Sequence, residues 1–194
     1  MILSTILLNI LGIFTADDEA RASINIYKSE SLYTEDYKSC AIGHFSTKLL
    51  GEPLNCINDV FIQVALENLG AVPVNAISPD MTHFVREIKF NDPQVISAEL
   101  VSNRLGQVIR IQARLNDELS TDEMRDIAKK ISSIHGQPDV TPPNPQMPLW
   151  GWITSDGFEI RLHRDTITSN KLLSITQRQA HSTLRDLKTK TVGL

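Results

Sequence analysis

Cysteine, aromatic residues and recognisable catalytic motifs are all scarce in this sequence, and each shortage narrows what the chain can be. Two cysteines among 194 residues exclude a small scaffold held by several disulfides. Neither sign of charge dominates, with 19 Lys plus Arg against 23 Asp plus Glu and a net charge of -4. A nucleic-acid partner, which needs a concentrated basic surface, is therefore not expected. The five histidines, His44, His83, His135, His163 and His181, include no pair at the three- to five-residue spacing that lets a helix or turn share a metal. HExxH, GxSxG, a Gly-rich phosphate loop and the dinucleotide fingerprint are missing too, so neither metal nor cofactor is expected. What remains is an ordinary globular composition, 41% hydrophobic and 22% charged, which excludes collagen-like and disordered chains.

Long apolar runs are limited to one. Met1 to Phe14 is nearly continuous in apolar residues and stops at Asp17-Asp18-Glu19. Its length fits the core of a signal peptide and falls short of the roughly 20 residues that span a bilayer. No Lys or Arg precedes it, and no small-x-small cleavage site directly follows. Residues 1–16 read as a signal peptide or an apolar N-terminal segment, and 17–194 as the globular domain, with no transmembrane span in the mature chain. A periplasmic or secreted location follows, with a cytoplasmic protein whose first element is buried as the alternative.

Cys40 and Cys56 bear on the same question. An even pair with no CxxC and no His-Cys cluster fits one disulfide better than a metal site. In a reducing compartment the same pair would be two buried thiols.

The periodicity then divides the chain. Apolar residues at three- and four-residue steps predict helices over Thr34 to Leu50, stopped by Gly51 and Pro53, and from Asn55 to Gly70. Thr82 to Phe90, Val95 to Val101 and Val108 to Leu115 read as a meander of three strands. In the last of them Ile109, Ile111, Ala113 and Leu115 share one face and Arg110, Gln112 and Arg114 the other, the alternation of a sheet covered on one side. Ser120-Thr121-Asp122-Glu123 is a capping box opening a helix that stops at Gly136. Val140 to Pro148 holds four of the nine prolines and reads as an extended loop. Strands over Leu149 to Thr154 and Phe158 to Arg164 follow, joined at Ser155-Asp156-Gly157. A strand at Leu172 to Ile175 and a polar helix from Thr176 to Lys190 close the chain.

The fold class expected is therefore α+β: antiparallel sheet with helices on one face, arranged as two similar helix-plus-three-strand lobes at 34–118 and 119–194. The ending is also basic, with seven Lys and Arg against three acids from Gly157 onward.

Two surfaces stand out as ligand-binding candidates. Glu159, Arg161 and His163 fall in a row on one face of their strand. If Arg110 and Arg114 lie in the same sheet, the guanidinium groups form a patch for carboxylate or phosphate, unless acids on neighbouring strands pair with them. The second is Trp150-Gly151-Trp152, an aromatic platform if exposed and core if buried. The leading reading is a non-enzymatic exported or cell-envelope protein that binds another protein or an anionic ligand. Competing with it are a small hydrolase or transferase gathering His163, Arg161 and Asp156 in a cleft, and a cytoplasmic accessory protein without export.

Overall fold

Strict alternation of apolar and polar residues is what builds the sheet. In a computed structural model of the chain, residues 47–49, 52–54, 67, 72–77, 83–103, 106–144 and 148–178 are described. Among these, seven strands form one antiparallel sheet: β3 (Val72–Ile77), β4 (His83–Lys89), β5 (Val95–Asn103), β6 (Val108–Leu115), β7 (Leu149–Ile153), β8 (Phe158–Arg164) and β9 (Lys171–Gln177). Their spatial order is β3-β4-β5-β6-β9-β8-β7. Two meanders thus meet at the β6–β9 pair, where Ile111 faces Ile175 and Ala113 faces Leu173.

The register carries one apolar row over five of the seven strands: Leu100, Ile111, Ile175, Ile160 and Trp152 are successive cross-strand partners. Their face is closed by α1 (Thr121–His135), whose Met124, Ile127, Ala128 and Ile131 are buried in the same core. The capping box forms as expected, with Glu123 N–H donating to Ser120 Oγ (3.2 Å) and Ser120 N–H donating to Glu123 Oε2 (2.7 Å). At the other end Gly136 takes a positive φ of 84°, which costs a glycine little.

The sequence reading holds for the antiparallel sheet and for α1, and it needs correction elsewhere. The helix expected to run to Leu50 does not reach that far: Lys48–Leu49 (β1) pairs with Glu52–Pro53 (β2) as a short hairpin. Pro53 therefore belongs to a strand and is not a helix stop. Thr176 and Gln177 complete β9 and do not open a helix. The edge strand β3 was not expected, because Pro73 lowers the strand signal and is tolerated only at an edge. Val140, in the Pro-rich loop, makes a two-bond bridge with Gly151. Cys40, the run Met1 to Phe14, Cys56 and residues 179–194 lie outside the described residues.

Candidate functional site

The polar face of the sheet is read most easily in rows. Arg110, Thr176 and Glu159 are cross-strand neighbours, as are Gln112, Ser174 and Arg161, and then Arg114, Leu172 and His163. Four of the expected ligand-binding residues, Arg110, Arg114, Arg161 and His163, therefore do share one face. They are split into two ranks by β9, placing β6 and β8 about 10 Å apart. Leu172, Ser174 and Thr176 are buried between the longer side chains.

Each arginine of this row meets an acid of its own chain. Arg110 pairs with Glu99, Arg114 with Asp117 (2.9 Å) and Arg161 with Glu159 (2.7 Å). Such pairs offset charge on a half-exposed sheet face, and the Arg114 and Arg161 side chains remain about half exposed.

The aromatic platform is corrected outright. Trp150 is 9% exposed and Trp152 1%, both on the face closed by α1. Trp152 Nε1 donates to the Gly136 carbonyl at the end of that helix (3.1 Å), so the indole's polar atom is satisfied where its ring is buried. The opposite side of β7 is the informative one. A Cβ on Gly151 would stand 3.4 Å from the Val140 Cβ, which places the Val140 side chain on the polar face. It is 46% exposed there, and Ile153, two residues along the same face, is 49% exposed. Leu149, Val140 and Ile153 thus form an apolar strip along the sheet edge, flanked on β8 by His163, Arg161 and Glu159.

Backbone pairing at this edge is already taken. Val140 and Gly151 exchange hydrogen bonds of 3.1 and 3.0 Å, and Ile153 N–H donates to Asp139 Oδ2 (2.7 Å). The edge thereby offers side chains to a partner while withholding those ladder groups.

At the Leu149 end the strip opens into a cavity of about 520 Å³. Pro143, Pro148 and Leu149 form its apolar wall, and His163, Arg164 and Asp165 its charged end. Pro148 is anchored by the Arg164 N–H, which donates to its carbonyl (3.2 Å). Asp165 Oδ1 accepts from the amides of Thr168 and Ile167, each at 2.8 Å, and these bonds hold its carboxyl below the usual carboxylate range. His163 is held below the ordinary histidine value, first by burial and then by the Arg161 charge, with Asp165 opposing. Its Nδ1 is buried without a hydrogen-bond partner.

Asp156 is not in this group. It precedes β8, whereas His163 stands near the strand's far end, roughly 20 Å away at about 3.3 Å per residue. Its carboxylate accepts from Thr47 N–H at Oδ2 (2.8 Å) and from Thr47 Oγ1 (2.8 Å) and Thr154 Oγ1 (2.5 Å) at Oδ1. Asp156 thus fastens the β1–β2 hairpin to the β7–β8 turn. The cavity residues Arg164 and Asp165 were missed as a site, although the Pro-rich run ahead of β7 and the Asp-initiated turn after β8 were the signals for it.

Among the described residues, no group of three or more His, Cys, Asp and Glu could hold a metal ion. No family model matches the chain, and no curated protein matches it. Among solved structures, the crystal structure of a DUF4309 family protein, YjgB, from Bacillus subtilis is similar at 11% identity and a TM-score of 0.42, covering 73% of this chain and 92% of that chain. A likeness that loose carries no statement about site or function.

Proposed function

We propose that this chain is a non-enzymatic exported protein of the cell envelope that binds another protein along the β7 edge of the polar sheet face. The observation that carries the reading is that Val140 and Ile153, each about half-exposed, lie on the same face of the β7 edge, beside the Glu159–Arg161 ion pair. An apolar centre with a polar rim is the anatomy of a protein interface. Ile167, in the β8–β9 loop, is a further apolar residue open to solvent, 91% exposed. The partner is a polypeptide that offers aliphatic or aromatic side chains to the strip and carboxylates to Arg161 and Arg164. Arg161 is 49% exposed and uses one Glu159 oxygen, and Arg164 has no ion pair among the described residues. Export is supported by the apolar run Met1 to Phe14, and an oxidised Cys40–Cys56 pair would belong with it.

A finer architecture accompanies this reading: two lobes, 34–118 and 119–194, joined at β6 and β9, each built on a three-strand meander, with β3 added at the edge of the first. The mirrored strand order, β4-β5-β6 followed by β9-β8-β7, supports it.

The test is the size of the native assembly. In an extract of its own cells the chain should elute as a complex larger than its 21.7 kDa and sensitive to salt. Val140→Asp with Ile153→Asp should return it to the monomer position with unfolding unchanged. A complex that survives the double substitution, a particle of two copies of this chain, or no complex at all would overturn the proposal.

A further inference from the structure

The cavity at the end of β7 and β8 has features that a docking strip does not require. Its volume, about 520 Å³, suits a small molecule or a single terminal residue. One wall is made of two prolines and Leu149, all apolar. The opposite end holds a guanidinium, a carboxylate and an imidazole, with the Thr166 and Ser169 hydroxyls beside them. We propose that this cavity binds an aliphatic carboxylate, its hydrocarbon against Pro143, Pro148 and Leu149 and its carboxyl group on the Arg164 guanidinium.

The sign of the ligand's charge follows from what is already engaged. Asp165 directs Oδ1 into the loop, where the amides of Ile167 and Thr168 donate to it, so much of its charge is answered by the backbone. Arg164 has no such partner: its backbone N–H donates to Pro148, and no ion pair involves its side chain among the described residues. An amine would meet the Arg164 guanidinium, whereas a carboxylate gains its planar fork. Asp165 is the opposing charge and limits the affinity. The same chemistry is presented by the C-terminal residue of a peptide and by a free branched-chain acid. The proposal stands on the cavity and holds whether or not a protein docks on the β7 strip.

Titration of the full chain followed by amide NMR tests it, with three probes: N-acetyl-leucine, N-acetyl-leucinamide and 4-methylpentanoate. N-acetyl-leucine should move the amide signals of Thr166, Ser169 and Leu149, and the uncharged amide should bind about tenfold or more weakly, as loss of a charge-assisted bond requires. Arg164→Gln should weaken the acid by a similar factor. Asp165→Asn keeps an oxygen for the loop amides and should tighten binding at least about twofold by removing the repelling charge. Equal binding of 4-methylpentanoate assigns the site to free acids, and a clear preference for N-acetyl-leucine assigns it to chain termini. Equal binding of acid and amide, an unchanged affinity in Arg164→Gln, or no shifts at these amides would overturn it.

Discussion

Asp156 illustrates how a residue's chemistry is decided by its neighbours. An acid in a strand turn is as compatible with catalysis as with structure, and here three donors from Thr47 and Thr154 converge on it. Asp156→Ala should therefore cost about 1 to 3 kcal/mol by leaving the buried Thr47 groups unsatisfied. Thr47→Val should cost less, and the double variant should fall short of the sum by a coupling that urea unfolding can measure.

Two histidines set the pH response at the same scale. Burial holds His135 and His163 below the ordinary histidine value, opposed at His135 by Asp156. The unfolded chain takes up protons at these positions near pH 6.5, about one histidine pKa, while the folded chain refuses them until lower pH. In that window the unfolded state binds more protons, so stability rises with pH and is lost on acidification. Unfolding free energy should drop between about pH 7 and pH 5, and His135→Gln with His163→Gln should flatten that slope. The carboxyls of Glu123 and Asp165, lowered by hydrogen bonds from Ser120 and from Thr168 and Ile167, lose their contribution only at more acidic pH, so the two effects separate.

At the scale of elements, α1 and the β7 edge are the testable pieces. Ser120→Ala removes the Oγ that accepts from the Glu123 N–H, leaves the backbone half of the capping box in place, and should cost about 1 kcal/mol, read as a lower thermal midpoint. Asp139→Ala frees the Ile153 N–H on an edge strand and should raise the rate of aggregation more than it lowers stability.

The elements also show why some of the architecture was legible in sequence and some was not. α1 and β8 match their expected spans because each carries a local signal, a capping box in one and strict alternation before Arg164 in the other. β1, β2 and β3 lacked such signals. Lys48–Leu49 sits in a pattern that is equally helical by period, and the neighbouring Thr47 is held by Thr154 and Asp156, more than a hundred residues away. The burial of Trp150 and Trp152 had the same origin: alternation put both indoles on one face, and only the position of α1 decides that this face is the inside. The shared face of Arg110 and Arg161 was legible as a possibility, but β9 had to be inserted between β6 and β8 before its spacing was set.

For the whole molecule, the continuous sheet divides two kinds of surface. One face is closed by α1 over an apolar core, and the other is a ladder of charges with apolar residues gathered at the β7 edge. Among the described residues no helix is long and apolar enough to cross a membrane. The mirrored strand order predicts that the β6–β9 pair is the last part of the sheet to open. Amide exchange should therefore be slowest at Ile111, Ala113, Leu173 and Ile175, and faster towards β3 and β7. Uniform protection across the seven strands would contradict this.

The claim that organises the molecule is that the β7 edge of the polar face is where a protein partner sits. Site-specific photo-crosslinking in the chain's own cells measures this most directly, with the reactive group at Ile153 and, as the control, at exposed Ser133 on α1. The account predicts one discrete protein adduct at position 153, lost when Arg161 and Arg164 are both replaced by Gln, and none at position 133. Equal adducts at both positions, or none at 153, would contradict it.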